Sequence, residues 1–147
     1  MKKIAILTVV LMAATATFAQ QNLFGPAQVK SPEINADKTV TFRLQAPKAV
    51  KVEVTGDFLP TQKIETPFGT FDAPGVAQLK EGKDGVWEFT TPTPVAPELY
   101  TYTFKVDGLT MIDPANVYVN RDINNLSSIL LVDGNELTNH FKVNDAP

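Results

Sequence analysis

Few residues in this chain are equipped for covalent chemistry. There is no cysteine, His140 is the only histidine, and the serines are Ser31, Ser127 and Ser128. None of the three serines sits in a G-x-S-x-G elbow, the strained turn that exposes a hydrolase nucleophile. A base at His140 would lie in a polar tail without a nucleophile or an orienting partner in view. One histidine and no thiol are too few to build a zinc site, so no metal or other cofactor is expected. Carboxylates are numerous enough to supply a glycosidase pair by count. Yet Asp57, Asp84, Asp107 and Asp133 all adjoin glycine, where aspartate characteristically caps turns. No acidic twelve-residue calcium loop is present either. The residues therefore point away from an enzyme and toward a surface that binds or docks.

The elements carrying such a surface read as strands. Val40, Phe42 and Leu44 alternate with polar residues, as do Val50, Val52 and Val54, and again Tyr100, Tyr102, Phe104 and Val106. A period of two places each apolar set on one face of a strand, which needs a second layer to cover it. Val86–Thr90 and 128–132 are further strands, and 76–80 is a weaker one. Asp84-Gly85, Asp107-Gly108 and Asp133-Gly134 mark turns, and Pro92, Pro94 and Pro97 end the strand before them. No apolar stripe with helical spacing is present after the first residues. The expected fold is an all-β antiparallel sandwich of immunoglobulin type. The stretch 61–75, with Pro67, Gly69, Pro74 and Gly75, reads as one long loop of the kind that often carries function.

The ends read differently. Lys2 and Lys3 precede an apolar run from Ile4 to Ala14, and Thr17-Phe18-Ala19 fits a cleavage site. The run is well short of the ~20 residues needed to span a bilayer. The expectation is a signal peptide over 1–19 and a secreted or periplasmic product that holds no membrane once it is removed. Residues 20–33 then form an N-terminal arm, 34–133 the sandwich, and 134–147 a linker into a further domain. Loss of Lys2 and Lys3 takes the formal charge from −3 to −5, and no basic cluster is present to meet a phosphate backbone. Nucleic acid is not an expected partner.

Four segments in order give the chain a family resemblance. They are 40–47 followed by 49–58, then Asp84-Gly85-Val86-Trp87-Glu88-Phe89, then 99–108 with Asp113-Pro114-Ala115-Asn116, and the closing strand 128–132. Together they resemble family 48 carbohydrate-binding modules, the early-set immunoglobulin-like domains found at the N-terminus of isoamylases and branching enzymes. Gly56-Asp57-Phe58-Leu59-Pro60, the stretch 66–75 and Pro97-Glu98-Leu99-Tyr100 look like a variant preceding secreted Bacteroidetes feruloyl and acetyl-xylan esterases.

The resemblance implies a non-catalytic module that assists an esterase on xylan-type polysaccharide. Two other readings stand beside it: a structural module docked on the esterase and shaping its cleft, or an α-glucan-binding module of a glycoside hydrolase or branching enzyme. Against glucan binding, Thr61, Thr110 and Thr103 occupy the places where glucan-binding members carry two tryptophans and a lysine, and threonine offers no flat face to a sugar ring. The remaining candidates for carbohydrate or domain contact are Phe68, Phe71, Trp87, Tyr118 and Arg121. Among these, Trp87 sits where packing is the commoner use, and Phe58 is expected to plug one end of the sandwich.

Overall fold

A computed structural model describes residues 29–134; the expected signal peptide, most of the expected N-terminal arm and the tail with His140 lie outside the described residues. Twelve strands are present among them: β1 (Glu33–Ile34), β2 (Val40–Gln45), β3 (Val52–Gly56), β4 (Gln62–Thr66), β5 (Gly69–Ala73), β6 (Gly75–Gln78), β7 (Lys80–Glu81), β8 (Val86–Thr90), β9 (Leu99–Val106), β10 (Leu109–Met111), β11 (Val119–Arg121) and β12 (Leu126–Leu131). The one helical element described is a 3-10 turn at Lys83–Gly85. One sheet runs β1-β2-β8-β7, and a six-stranded sheet runs β11-β12-β9-β3-β6 with β10 also on β9. Pairing is antiparallel throughout. The fold is the all-β immunoglobulin-like sandwich expected.

Alternation explains the core. Val40, Phe42 and Leu44 from β2, Trp87 from β8, Val52 and Val54 from β3, Tyr102 and Phe104 from β9, and Leu130 from β12 are buried together between the sheets. Phe42 is the hinge of the aromatic packing: its ring stacks on Phe58 at 4.9 Å and meets Tyr102 edge-on at 4.9 Å. Phe58 thus closes one end of the sandwich, and Tyr100 packs edge-on against its outer side.

Val50 breaks the pattern. Its period groups it with Val52 and Val54, but it is 86% exposed and precedes β3. Its amide and that of Lys51 donate to the Asp107 carboxylate (3.0 and 2.8 Å), so this segment is a turn pinned by a side chain rather than the start of a ladder. The final strand begins two residues earlier than its apolar pattern implied, at Leu126.

The stretch 61–75 is not a loop. It folds as the β4–β5 hairpin, a separate two-stranded sheet with Ile64 opposite Phe71 and Lys63 opposite Asp72. Its strand pattern was hidden because both faces are mostly exposed, leaving no apolar alternation to detect. At its base Gly75 pairs with Gly56. A Cβ on Gly75 would collide with the Pro60 carbonyl oxygen and press on Leu59, so only glycine lets the chain return to β3 so closely. The β9–β10 hairpin turns on two residues: Asp107 and Gly108 both take positive φ (48° and 93°) between paired Val106 and Leu109. That is the two-residue connection whose twist matches the flanking strands.

A buried polar cluster ties the N-terminal stretch to this body. Asp113 is fully buried. Its Oδ2 accepts from Ser31 Oγ (2.6 Å) and the Tyr102 hydroxyl (2.8 Å), its Oδ1 from the Ala115 amide (2.8 Å), and its own amide donates to Ser128 Oγ (2.8 Å). Asn116 Nδ2 adds bonds to the Tyr102 oxygen (3.0 Å) and the Ile129 carbonyl (2.7 Å). Burial, with the Asp113 charge second, pushes the Tyr102 phenol far above its ordinary value. Near the surface, Arg43 of β2 pairs with Glu33 of β1 and Glu88 of β8. Hydrogen bonds first from Lys30 and then from Arg43 hold the Glu33 carboxyl below the usual range.

Candidate functional site

The sandwich presents three outer features that a ligand or neighbour can reach. The first is the outward face of the six-stranded sheet. With Tyr102 and Phe104 turned inward, Thr101, Thr103 and Lys105 of β9 point out, beside Thr55 of β3 and Ser127 of β12. A shallow depression of about 170 Å³ lies here, lined by Thr55, Gly56, Asp57, Pro74, Thr103 and Ser127 among others. Asp57 is spent on structure: it accepts from the Thr101 amide (2.8 Å) and hydroxyl (3.2 Å), fastening the corner after β3 to β9. Thr110 stands opposite Lys105 on β10, and Thr61 is exposed just before β4. Short hydroxyl side chains dominate the middle of this face, Lys105 and Val76 border it, and no aromatic ring is among these residues.

The β4–β5 hairpin is the second feature. Ile64 and Phe71, directly opposite one another, share one of its faces, and Phe68 forms the tip. Phe68 is 91% exposed and Phe71 51%. The Thr66 hydroxyl fixes the tip by accepting from the Phe68 amide (3.2 Å) and donating to the Gly69 carbonyl (3.0 Å). Lys63 and Asp72 pair on the opposite face. The result is a projecting ribbon, polar on one side and apolar on the other.

The third is an apolar groove of about 550 Å³, lined by Pro32, Ile34, Leu99, Tyr118, Ile129 and Leu131 with Asn116. Tyr118 stands at its edge, 69% exposed. Asn116 sets this segment by accepting from the Tyr118 amide (2.9 Å). Arg121, exposed on β11, lies away from this groove, against a separate hollow of mixed lining that includes Thr110, Met111, Asp122 and Ile123.

The five sequence candidates therefore do not converge. Phe68 and Phe71 belong to the hairpin, Tyr118 to the groove, and Arg121 to the end of β11. Trp87 drops out: it is 5% exposed, and its indole nitrogen donates to the Ala46 carbonyl (3.0 Å) inside the sandwich. A ring enclosed in this way has no face left for a sugar. Neither the groove nor the Asp113 cluster shows as a feature in the sequence pattern above. The cluster had a signal in Asp113-Pro114-Ala115-Asn116, a dense run of turn formers after a short strand, whereas the groove is assembled from strands distant in sequence. Among the described residues, no group of three metal-ligating side chains lies together. Ser31 and Asp113, the Ser–Asp pair at 2.6 Å, are sealed from solvent and serve the fold.

Comparison with known proteins settles the family. The profile of carbohydrate-binding module 48, the isoamylase N-terminal domain, matches residues 24–119. The chain belongs to that family. Among curated proteins none matches the sequence significantly. In solved structures, the pullulanase SAP of Group B Streptococcus in complex with maltotetraose is similar over 74% of this chain and 15% of its own, at 15% identity and a TM-score of 0.50. A pullulanase from Anoxybacillus sp. LM18-11 complexed with maltotetraose is similar over 78% and 15%, at 19% identity and a TM-score of 0.46. The first likeness supports the fold. The module spans about 15% of the length of these pullulanases.

Proposed function

We propose that this is a non-catalytic ancillary module of an exported carbohydrate-active enzyme, and that it serves its catalytic domain mainly by docking through the β4–β5 hairpin. The observation that carries this reading is the placement of the exposed rings. Two of the three rings exposed among the described residues, Phe68 and Phe71, stand on a ribbon that pairs with neither main sheet, while threonines stand at 61, 103 and 110, where the family resemblance puts glucan-binding side chains. Phe68, Phe71 and Ile64 offer apolar area with few hydrogen-bonding groups around it. That composition suits a protein neighbour better than a polyhydroxylated chain, which needs polar partners ringed about each aromatic face. A two-stranded ribbon is also marginal in water on its own, and contact with another domain would steady it.

A second reading is favoured by the family itself: an α-glucan ligand, as the maltotetraose-bound pullulanases have. The pairing with a xylan-directed esterase is the narrower form of the docking reading and rests on the likeness of the 56–60 and 66–75 segments alone. Affinity electrophoresis of the chain in gels containing glycogen or arabinoxylan separates these readings. Docking predicts negligible retardation by both, together with calorimetric binding to the catalytic domain encoded beside it. Retardation by glycogen that is lost on altering Thr103 or Thr110 would replace docking with glucan recognition, and retardation by arabinoxylan alone would favour the esterase context.

A further inference from the structure

The two edges of the β4–β5 hairpin carry an additional inference. Only Pro67 and Phe68 separate Thr66 from Gly69, so these two form the closing, hydrogen-bonded pair. Bonded and non-bonded pairs alternate along an antiparallel ladder. Ile64–Phe71 and Gln62–Ala73 are therefore bonded pairs, whereas Glu65–Thr70 and Lys63–Asp72 turn their N–H and C=O groups outward. Neither strand has another partner strand among the described residues. The ribbon thus displays two open edges, through Lys63 and Glu65 on β4 and through Thr70 and Asp72 on β5.

These edges are not equivalent. The outward positions of β4 hold a lysine and a glutamate, both exposed, and long charged side chains blunt an edge against pairing. On β5 stand Thr70, a β-branched strand former, and Asp72, whose short carboxylate accepts across the ribbon from Lys63 Nζ (3.2 Å). Between them Phe71 lies on the apolar face, 51% exposed. Pro74, next in the same alternation, has no N–H, and its carbonyl accepts from the Gln62 side-chain amide (3.3 Å), so pairing stops there. We infer that the catalytic domain docks by adding an extended segment to the β5 edge, opposite the five residues Gly69–Ala73, with an apolar side chain laid beside Phe71. This rests on the docking reading above and supplies its mode: backbone hydrogen bonds at Thr70 and Asp72 hold the segment, and Phe71 selects its side chain. A third strand also gives the ribbon the width that a lone two-stranded hairpin lacks.

Calorimetry and amide hydrogen exchange of the full chain, titrated with the catalytic domain that the docking reading requires, test this. In the complex the Thr70 and Asp72 amides exchange at least about tenfold more slowly than in the free chain, while those of Lys63 and Glu65 do not change. Asp72→Pro deletes one outward donor at an edge position where proline is tolerated. It weakens binding at least about tenfold relative to Asp72→Ala, which keeps the donor. Glu65→Pro, the same change on β4, binds as the wild type does. Equal affinities of Asp72→Pro and Asp72→Ala, or Thr70 and Asp72 amides left fast in the complex, overturn the added strand but leave docking by the apolar face intact. Protection at Lys63 and Glu65 instead overturns the choice of edge. Should Asp72→Pro disturb the hairpin, the exchange pattern of the wild-type complex decides alone. Absence of any binding by the wild type overturns docking itself, and the added strand with it.

Discussion

The six-stranded sheet and the β4–β5 hairpin are both exposed β-structure, yet they carry opposite surfaces. Outside the sheet stand Thr55, Thr101, Thr103 and Ser127, backed by Val54, Tyr102 and Phe104 in the core. On the hairpin stand Ile64, Phe68 and Phe71, with no core behind them. The sheet is held by what lies beneath it, so its outer face is free to be small and polar. Among the described residues the hairpin pairs with neither main sheet, so its exposed apolar area is buried further only when something arrives. Stability and recognition have been separated onto different strands, and substitutions should sort the same way.

The largest effect belongs beneath the sheet. Phe42→Ala removes the ring that joins Phe58 to Tyr102 and leaves a cavity between the sheets. It should cost about 3–5 kcal/mol in urea unfolding monitored by Trp87 fluorescence. If the hairpin were integral to the fold, substitutions there would cost as much, and the contrast would collapse.

A middle effect belongs to the polar cluster. Tyr102→Phe withdraws one donor from the buried Asp113 carboxylate and should cost about 1–2 kcal/mol near neutral pH. Its pH signature is more specific. Folding raises the Tyr102 phenol above its ordinary value of 10.0, so the folded chain keeps a proton that the unfolded chain releases. The stabilisation is complete below about pH 10 and is lost as pH rises beyond it. Unfolding curves at increasing alkalinity should show a falling stability in the wild type and a shallower fall in Tyr102→Phe. Equal slopes would mean the hydroxyl is not shielded.

How much of this was legible depended on whether burial left a period in the sequence. β2, β8 and β9 each bury one face against the other sheet, so their residues alternate and the sandwich could be read from them. Val50 continued the same alternation by chance, and only the Asp107 clamp on its amide shows why it is turn. The hairpin has no buried face, so its strands left no period, and its prolines and glycines read as loop. Trp87 reads as packing or as sugar contact in the sequence, because residue type cannot report which side of β8 faces the core. The groove was invisible for another reason. It joins Pro32 and Ile34 to residues nearly a hundred positions later, a juxtaposition only the topology creates.

The smallest expected change in stability carries the most weight for function. Phe68→Ser and Phe71→Ser replace exposed rings, so in the isolated chain each should shift unfolding by less than about 0.5 kcal/mol. Titrated into the catalytic domain that the docking proposal requires, the same variants should weaken binding, with Phe71→Ser paired to Ile64→Ser the most severe because together they erase one face of the ribbon. Lys63→Ala, on the opposite face, is the internal control and should leave binding unchanged, since its exposed pairing with Asp72 contributes little. A loss of stability comparable to Phe42→Ala would make the hairpin a structural element. Unchanged binding in the double variant would return the search for a partner to the threonine face of the sheet.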